Sequence, residues 1–167
     1  MVKLNLISLI HAEVGQQETI TLDLSTLKID DLHLAYLRGE LQLTRVADGV
    51  LVAGNLETSV KTECARCLET FLEPVALELE DVIDLPGADV TVERPVRMSK
   101  DGWADFSPLI REYAWLGLPI NPICSPDCRG LCPQCGGNLN RGECTCETVE
   151  PLDPRWETLR SLLDERA

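Results

Sequence analysis

Eight cysteines stand at positions 64, 67, 124, 128, 132, 135, 144 and 146, and six of them crowd into the stretch from Cys124 to Cys146. The other two form a Cys-x-x-Cys about sixty residues upstream. Disulfides persist in oxidising compartments, whereas in a reducing one such spacing reads as metal ligation. Residues 1–10 hold one lysine, a short apolar stretch and no small-residue cleavage site, so no secretory signal is legible. No apolar run reaches the length of a membrane span. A cytoplasmic location with metal-bound thiols is therefore expected, and eight thiols divide evenly into two tetrahedral sites.

A chain of 167 residues can bury a real core in one domain with a small appended module. Its 28 acidic against 15 basic residues give a net charge of −13. Two filled four-thiolate zinc sites would carry this to about −17. Such a field repels a phosphate backbone and attracts a basic protein. Direct nucleic-acid binding then needs a local basic patch. No small-molecule substrate is expected.

Period-2 alternation points to strands. Ile20, Leu22 and Leu24 alternate with polar neighbours, while Leu27, Ile29, Leu32 and Leu34 suit a strand or a short helix. Residues 40–44 alternate strictly, and Asp48-Gly49 offers hairpin-turn chemistry. Beyond it Val50, Val52, Leu56, Thr58, Val60 and Thr62 share one face, and Val75, Leu77, Leu79 and Ile83 share one face of the following strand. Cys64 and Cys67 thus fall in the turn between two long strands. Ser107-Pro108 reads as an N-cap with proline at the first helical position, and Gly117 as the stop. Asp153-Pro154 repeats that start ahead of Trp156, Leu159, Leu162 and Leu163. The expected fold is α+β: a mostly antiparallel β-sheet or partly open barrel, two short helices and a cysteine-rich zinc-binding C-terminal segment. The β-rich core domain is placed at 1–118 and the cysteine-rich segment, packed on it, at 119–167.

Structural zinc is held by four thiolates, and Cys-x-x-Cys is a natural half-site. Cys132-Pro-Gln-Cys135-Gly136 is the clearest case, since proline fixes φ on entry and glycine permits the positive φ that closes the turn. Its complement is Cys144-Thr-Cys146, which leaves Cys64, Cys67, Cys124 and Cys128 for an upstream site. The alternative joins Cys64 and Cys67 to Cys132 and Cys135, as in rubredoxin-type centres. A single ion with four spare thiols is a third arrangement. All-thiolate sites leave no open position for water, and no catalytic constellation is legible, so no enzyme is expected. His11 and His33 lie far from the cysteines and are not expected to ligate. Asp81 and Asp84 read as a solvated strand edge rather than a carboxylate pair. Arg66, Arg129 and Arg141 sit inside the metal loops, as possible partner or RNA contacts or as charges that offset the thiolates. Trp103, Trp115 and Trp156 are expected in the core.

Several segments together resemble the YceD family of large ribosomal RNA subunit accumulation proteins. They are Glu63-Cys-Ala-Arg-Cys67 after a hairpin, Leu118-Pro119, the run from Cys124 through Cys-Arg-Gly-Leu-Cys-Pro-x-Cys-Gly-x-Asn-Leu-Asn to Cys144-Thr-Cys146, and Asp153-Pro-Arg-Trp with Leu159. The similarity spans roughly 39–163. It implies a role in large-subunit ribosomal RNA levels, without an enzymatic activity. It also implies that the Cys64/Cys67 turn is the more widespread feature and that the downstream cluster is absent from some members. The leading expectation is a zinc-binding accessory factor of ribosome biogenesis that binds a ribosomal protein or assembly intermediate. Direct RNA recognition through the three arginines, or a redox or metal-handling thiol role, are the alternatives.

Overall fold

Four long hairpin-linked segments alternate apolar and polar residues over much of their length, and they pair in sequence order. The computed structural model describes residues 1–87, 94–142 and 144–146. Strands β2 (Gln17–Ile29), β3 (Leu32–Val46), β4 (Gly49–Glu63) and β5 (Thr70–Asp84) form an antiparallel sheet of order β2-β3-β4-β5. The outer two do not pair with each other, so the sheet is open and not a closed barrel. A small second sheet joins β1 (Lys3–Asn5) to β6 (Trp103–Asp105). Helix α1 (Ile7–Ile10) is one turn, and α2 (Ser107–Gly117) spans three. By contacts the chain forms two units, Met1–Cys128 and Arg129–Ala167, and every element named here lies in the first.

The predicted faces hold. Val50, Val52, Leu56, Thr58 and Val60 are buried, as are Val75, Leu77, Leu79 and Ile83, while Glu57, Lys61, Glu78 and Glu80 are exposed. Their apolar side meets Leu37, Leu41, Leu43, Phe106, Leu109 and Ile110 in one core. Burying each large aliphatic side chain is worth about 1.5–3 kcal/mol. The ambiguous stretch 25–37 is strand on both sides of a two-residue turn, with Asp30 at φ +50. Arg111 of α2 clamps this turn, donating to both carboxylate oxygens of Asp31 at 2.7 and 3.2 Å. On the opposite edge, the Tyr113 hydroxyl donates to the Glu80 carbonyl at 3.1 Å and accepts from its amide at 3.3 Å. α2 thereby occupies part of the free edge of β5, which blunts it against further pairing.

Three expectations need correcting. The β3–β4 turn is Ala47-Asp48 rather than Asp48-Gly49, since Val46 pairs with Gly49. The Arg45 guanidinium holds it by donating to the carbonyls of Val46, Ala47 and Gly49. Glycine is required at 49 because a Cβ there would strike the Ile83 carbonyl of β5. Ser107 does not cap α2. Phe106 is the N-cap residue, and the Ser107 hydroxyl instead accepts the buried Val2 amide at 2.8 Å, 105 residues away. Finally, Trp103 and Trp115 are 50% and 48% exposed rather than core residues. Trp156 and the expected 153–163 helix fall outside the described residues.

Replacing Ser107 with alanine leaves the Val2 amide buried without its acceptor, a loss of about 1–3 kcal/mol. Chemical denaturation should show this as a lower midpoint. A second expectation concerns Asp105, whose carboxyl is half-buried. Burial raises its proton affinity, but hydrogen bonds from Ser107 and the charge of Lys3 outweigh this and hold it below the usual carboxylate range. Its contribution is complete above the unfolded value of about 3.9 and disappears as pH falls through the lower folded value. The stability gap between the native chain and Asp105→Asn should therefore close in acid.

Candidate metal centres

The upstream centre is built on the turn between β4 and β5. The Cys64 amide donates to the Glu69 carbonyl and the Leu68 amide to the Cys64 carbonyl, both at 2.9 Å. Closing this knuckle puts Leu68 at φ +60, a conformation side chains rarely adopt. The Arg66 amide points at the Cys64 sulfur at 3.4 Å. The Ala65 amide then binds the Pro122 carbonyl at 2.8 Å, drawing the segment of Cys124 and Cys128 onto the turn. Cys64 lies 3.8 Å from Cys128, sulfur to sulfur, and Cys67 lies 3.7 Å from Cys124. Cys64, Cys67 and Cys128 are buried against Phe71 and Ile123, and Cys124 is exposed.

The downstream centre belongs to the second unit and is compact in sequence. Leu131 bridges Asn138. The Cys132 amide donates to the Gly137 carbonyl and the Gly136 amide to the Cys132 carbonyl, with Gly136 at φ +71 as the turn requires. The Asn138 and Asn140 side chains stitch the loop, accepting the Asn140 and Arg129 amides at 2.9 and 2.8 Å. The sulfurs of Cys135 and Cys144 are 3.7 Å apart, and the Cys146 amide points at the Cys144 sulfur at 3.4 Å.

All four sulfurs lie within 4.8 Å of one another in each set, Cys64/Cys67/Cys124/Cys128 and Cys132/Cys135/Cys144/Cys146. Four sulfurs at about 2.3 Å around one ion form a tetrahedron with edges near ~3.8 Å. The 3.7–3.8 Å separations match that figure. A disulfide would need about 2.05 Å. Each set could hold one metal ion. The rubredoxin-type pairing of Cys64 and Cys67 with Cys132 and Cys135 is not the grouping found.

Charge within each set favours a cation. Burial opposes ionisation of Cys64, yet the amides of Cys124, Cys67 and Arg66 around its sulfur bring it down to about 6. The amides of Cys135 and Gln134 do the same for Cys132, also to about 6. Burial and then the sulfurs of Cys67, Cys128 and Cys64 push Cys124 up to about 12. Cys146 is pushed up to about 12 by the sulfurs of Cys135 and Cys144. One thiolate forms easily in each set and obstructs the rest, and a divalent ion removes the obstruction.

The remaining candidates play other parts. The Arg66 guanidinium donates to the Cys128 carbonyl at 3.0 Å, which ties the two halves of the upstream set. Arg129 and Arg141 are exposed in the second unit, their amides bound to Asn140 and to the Asn138 carbonyl. His11 and His33 are exposed and belong to neither set. Asp81 accepts the Val82 amide, and Asp84 pairs with Arg94 at 3.2 Å. Those carboxylates are therefore occupied separately. Sequence reasoning missed Lys3, Arg97 and Trp103, which the small β1–β6 sheet brings to one groove. Lys3 lies more than ninety positions before the other two, and no spacing rule joins them.

The chain matches the family described as large ribosomal RNA subunit accumulation protein YceD over residues 52–163. It is 36% identical over 132 residues to an uncharacterised protein of Mycobacterium tuberculosis, across 77% of this chain and 63% of that one. The chain thus spans less than two thirds of the mycobacterial relative. A chloroplastic YCED homolog 1 of Zea mays is 32% identical over 81 residues, covering 47% of this chain and 24% of the plant protein. The Arabidopsis thaliana homolog 1 is 29% identical over 126 residues, covering 58% and 39%. No solved structure matches.

Native mass spectrometry of the purified chain should show two metal ions. Cys64→Ser and Cys132→Ser should each remove one ion, and the double substitution both. Because bound sulfurs must be deprotonated, lowering the pH should release metal as protons reclaim the thiolates.

Proposed function

Because the chain belongs to the YceD family of large ribosomal RNA subunit accumulation proteins, we propose that it is a non-enzymatic, zinc-binding accessory factor of large-subunit ribosomal RNA accumulation. It acts by binding an intermediate of ribosome assembly in the cytoplasm. The observation that carries this reading is the family match itself, which runs through β4, β5, α2 and all eight cysteines. The donor set supports zinc: sulfur alone, four per site, at tetrahedral spacing. Four protein ligands would close each site to water, which supports a structural part for the metals.

The sheet supports a basic partner. Its solvent face carries Glu40, Glu57, Glu78 and Glu80, all exposed, with Glu40, Asn55 and Glu78 aligned across three strands. In a chain of net charge −13 this face suits a basic ribosomal protein of the intermediate. The Arg66 bond to Cys128 supports a structural part for that arginine.

Deleting the gene should lower large-subunit ribosomal RNA relative to small-subunit RNA, and the native gene should restore it. Changing Glu57, Glu78 and Glu80 to lysine should reduce co-sedimentation of the protein with large-subunit precursors at least several-fold without loss of fold. An unchanged RNA ratio in the deletion strain would refute the proposal.

A further inference from the structure

We propose that the groove beside β6 binds one nucleotide of single-stranded RNA, with the base on Trp103 and the backbone phosphates on Lys3 and Arg97. The proposal deepens the reading of the protein as a factor for large-subunit RNA and rests on it. Three chain segments build the groove. β1 pairs with β6 so that Lys3 lies opposite Asp105 and Asn5 opposite Trp103. On the other side Met98 bridges Ala104, the Ser99 amide donates to the Trp103 carbonyl at 2.8 Å, and the Trp103 amide donates to the Ser99 hydroxyl at 3.1 Å. Met98 and Ala104 are buried in the core. The period of two then turns Arg97, Ser99, Trp103, Asp105 and Lys3 to the opposite face. They line a groove of about 510 Å³, within the size range of small-ligand sites.

Several of the described cations elsewhere are already engaged. Arg38, Arg94 and Arg111 are taken up by carboxylates, and Arg45 and Arg66 by backbone carbonyls. Among the described residues Lys3 and Arg97 form no ion pair, and Lys100 follows in the same loop, exposed. The register puts Asp105 between them, and Trp103, two residues along β6 on the same face, has half its surface in solvent. An indole beside two cations is what a single-stranded nucleotide needs: a face for the base and charge for the phosphates. Asp105 completes the set. Its carboxylate lines the groove, held by the Ser107 amide at 2.9 Å and by the Ser107 hydroxyl. A carboxylate between two cations disfavours a bare anion and favours a ligand that carries donors as well as charge. The acidic sheet face repels RNA elsewhere, so the contact is local and short.

The test titrates the full-length, metal-loaded chain with labelled hexamers of oligouridylate and oligoadenylate at low salt, read by anisotropy. Trp103→Ala, Arg97→Glu and Lys3→Glu should each weaken binding about ten-fold or more, while Trp103→Phe keeps most of it. Replacing both cations with glutamine should flatten the salt dependence. Circular dichroism and metal content should stay native, since all three side chains are exposed; were Trp103→Ala to misfold, the two charge variants would decide. No binding by the native chain, binding that survives these changes, or equal binding of a glutamate hexapeptide would overturn the inference. Expression of the RNA-defective variants in the deletion strain separates the two readings. Full restoration of large-subunit RNA by them would sink the groove and leave the proposed function standing. Failure of the native gene to restore it would sink the proposed function, while the titration still decides the groove.

Discussion

The far end of the main sheet depends on the meeting of two segments that are distant in the chain. The turn at 64–69 is joined to residues 122–128 by the Ala65–Pro122 hydrogen bond, by Arg66 on the Cys128 carbonyl and by four converging sulfurs. The paired cysteines are separated by 64 and 57 residues. Closing a loop of that length costs on the order of 4 kcal/mol of chain entropy. A metal ion bridging the ends offsets that cost only in the folded state. Between the ends of this loop lie all of β5 and α2 and the whole of β6, so the centre constrains most of the first unit.

The downstream centre is different in kind. Its four ligands span fifteen positions and its backbone bonds are local, from Cys132–Gly137 to Arg141–Asn138. It can organise its own loop with few long-range contacts. A metal ion at the first site would fasten a tertiary junction, and one at the second would hold a local loop. The proposed binding functions rest on surfaces rather than on these two sites: an acidic sheet face and a small groove with an indole.

Much of this was legible in the chain. The alternation through Val50–Val60 and Val75–Ile83 named the buried face residue by residue, because side chains on a strand must alternate. The cysteine grouping followed from local spacing at one site and from what remained at the other. Turn details were less legible. Asp48-Gly49 carries hairpin chemistry, yet the turn falls one residue earlier because Arg45 caps its carbonyls and β5 needs a glycine at 49. Ser107 has the sequence of a cap and spends its hydroxyl on Val2 instead, a partner that local rules cannot see.

Spacing, periodicity and composition by themselves determined the long strands from residue 40 to 84, their core face and the start of the α2 region, and favoured the division into two sets of four thiols. Each of these rests on interactions between near neighbours or on a count of ligands. Only the tertiary structure decided that the sheet stays open, that Tyr113 occupies part of its edge, and that Trp103 stands at the surface in one groove with Lys3 and Arg97. Those outcomes depend on strands and side chains brought together across as many as a hundred residues, and no local pattern carries that information.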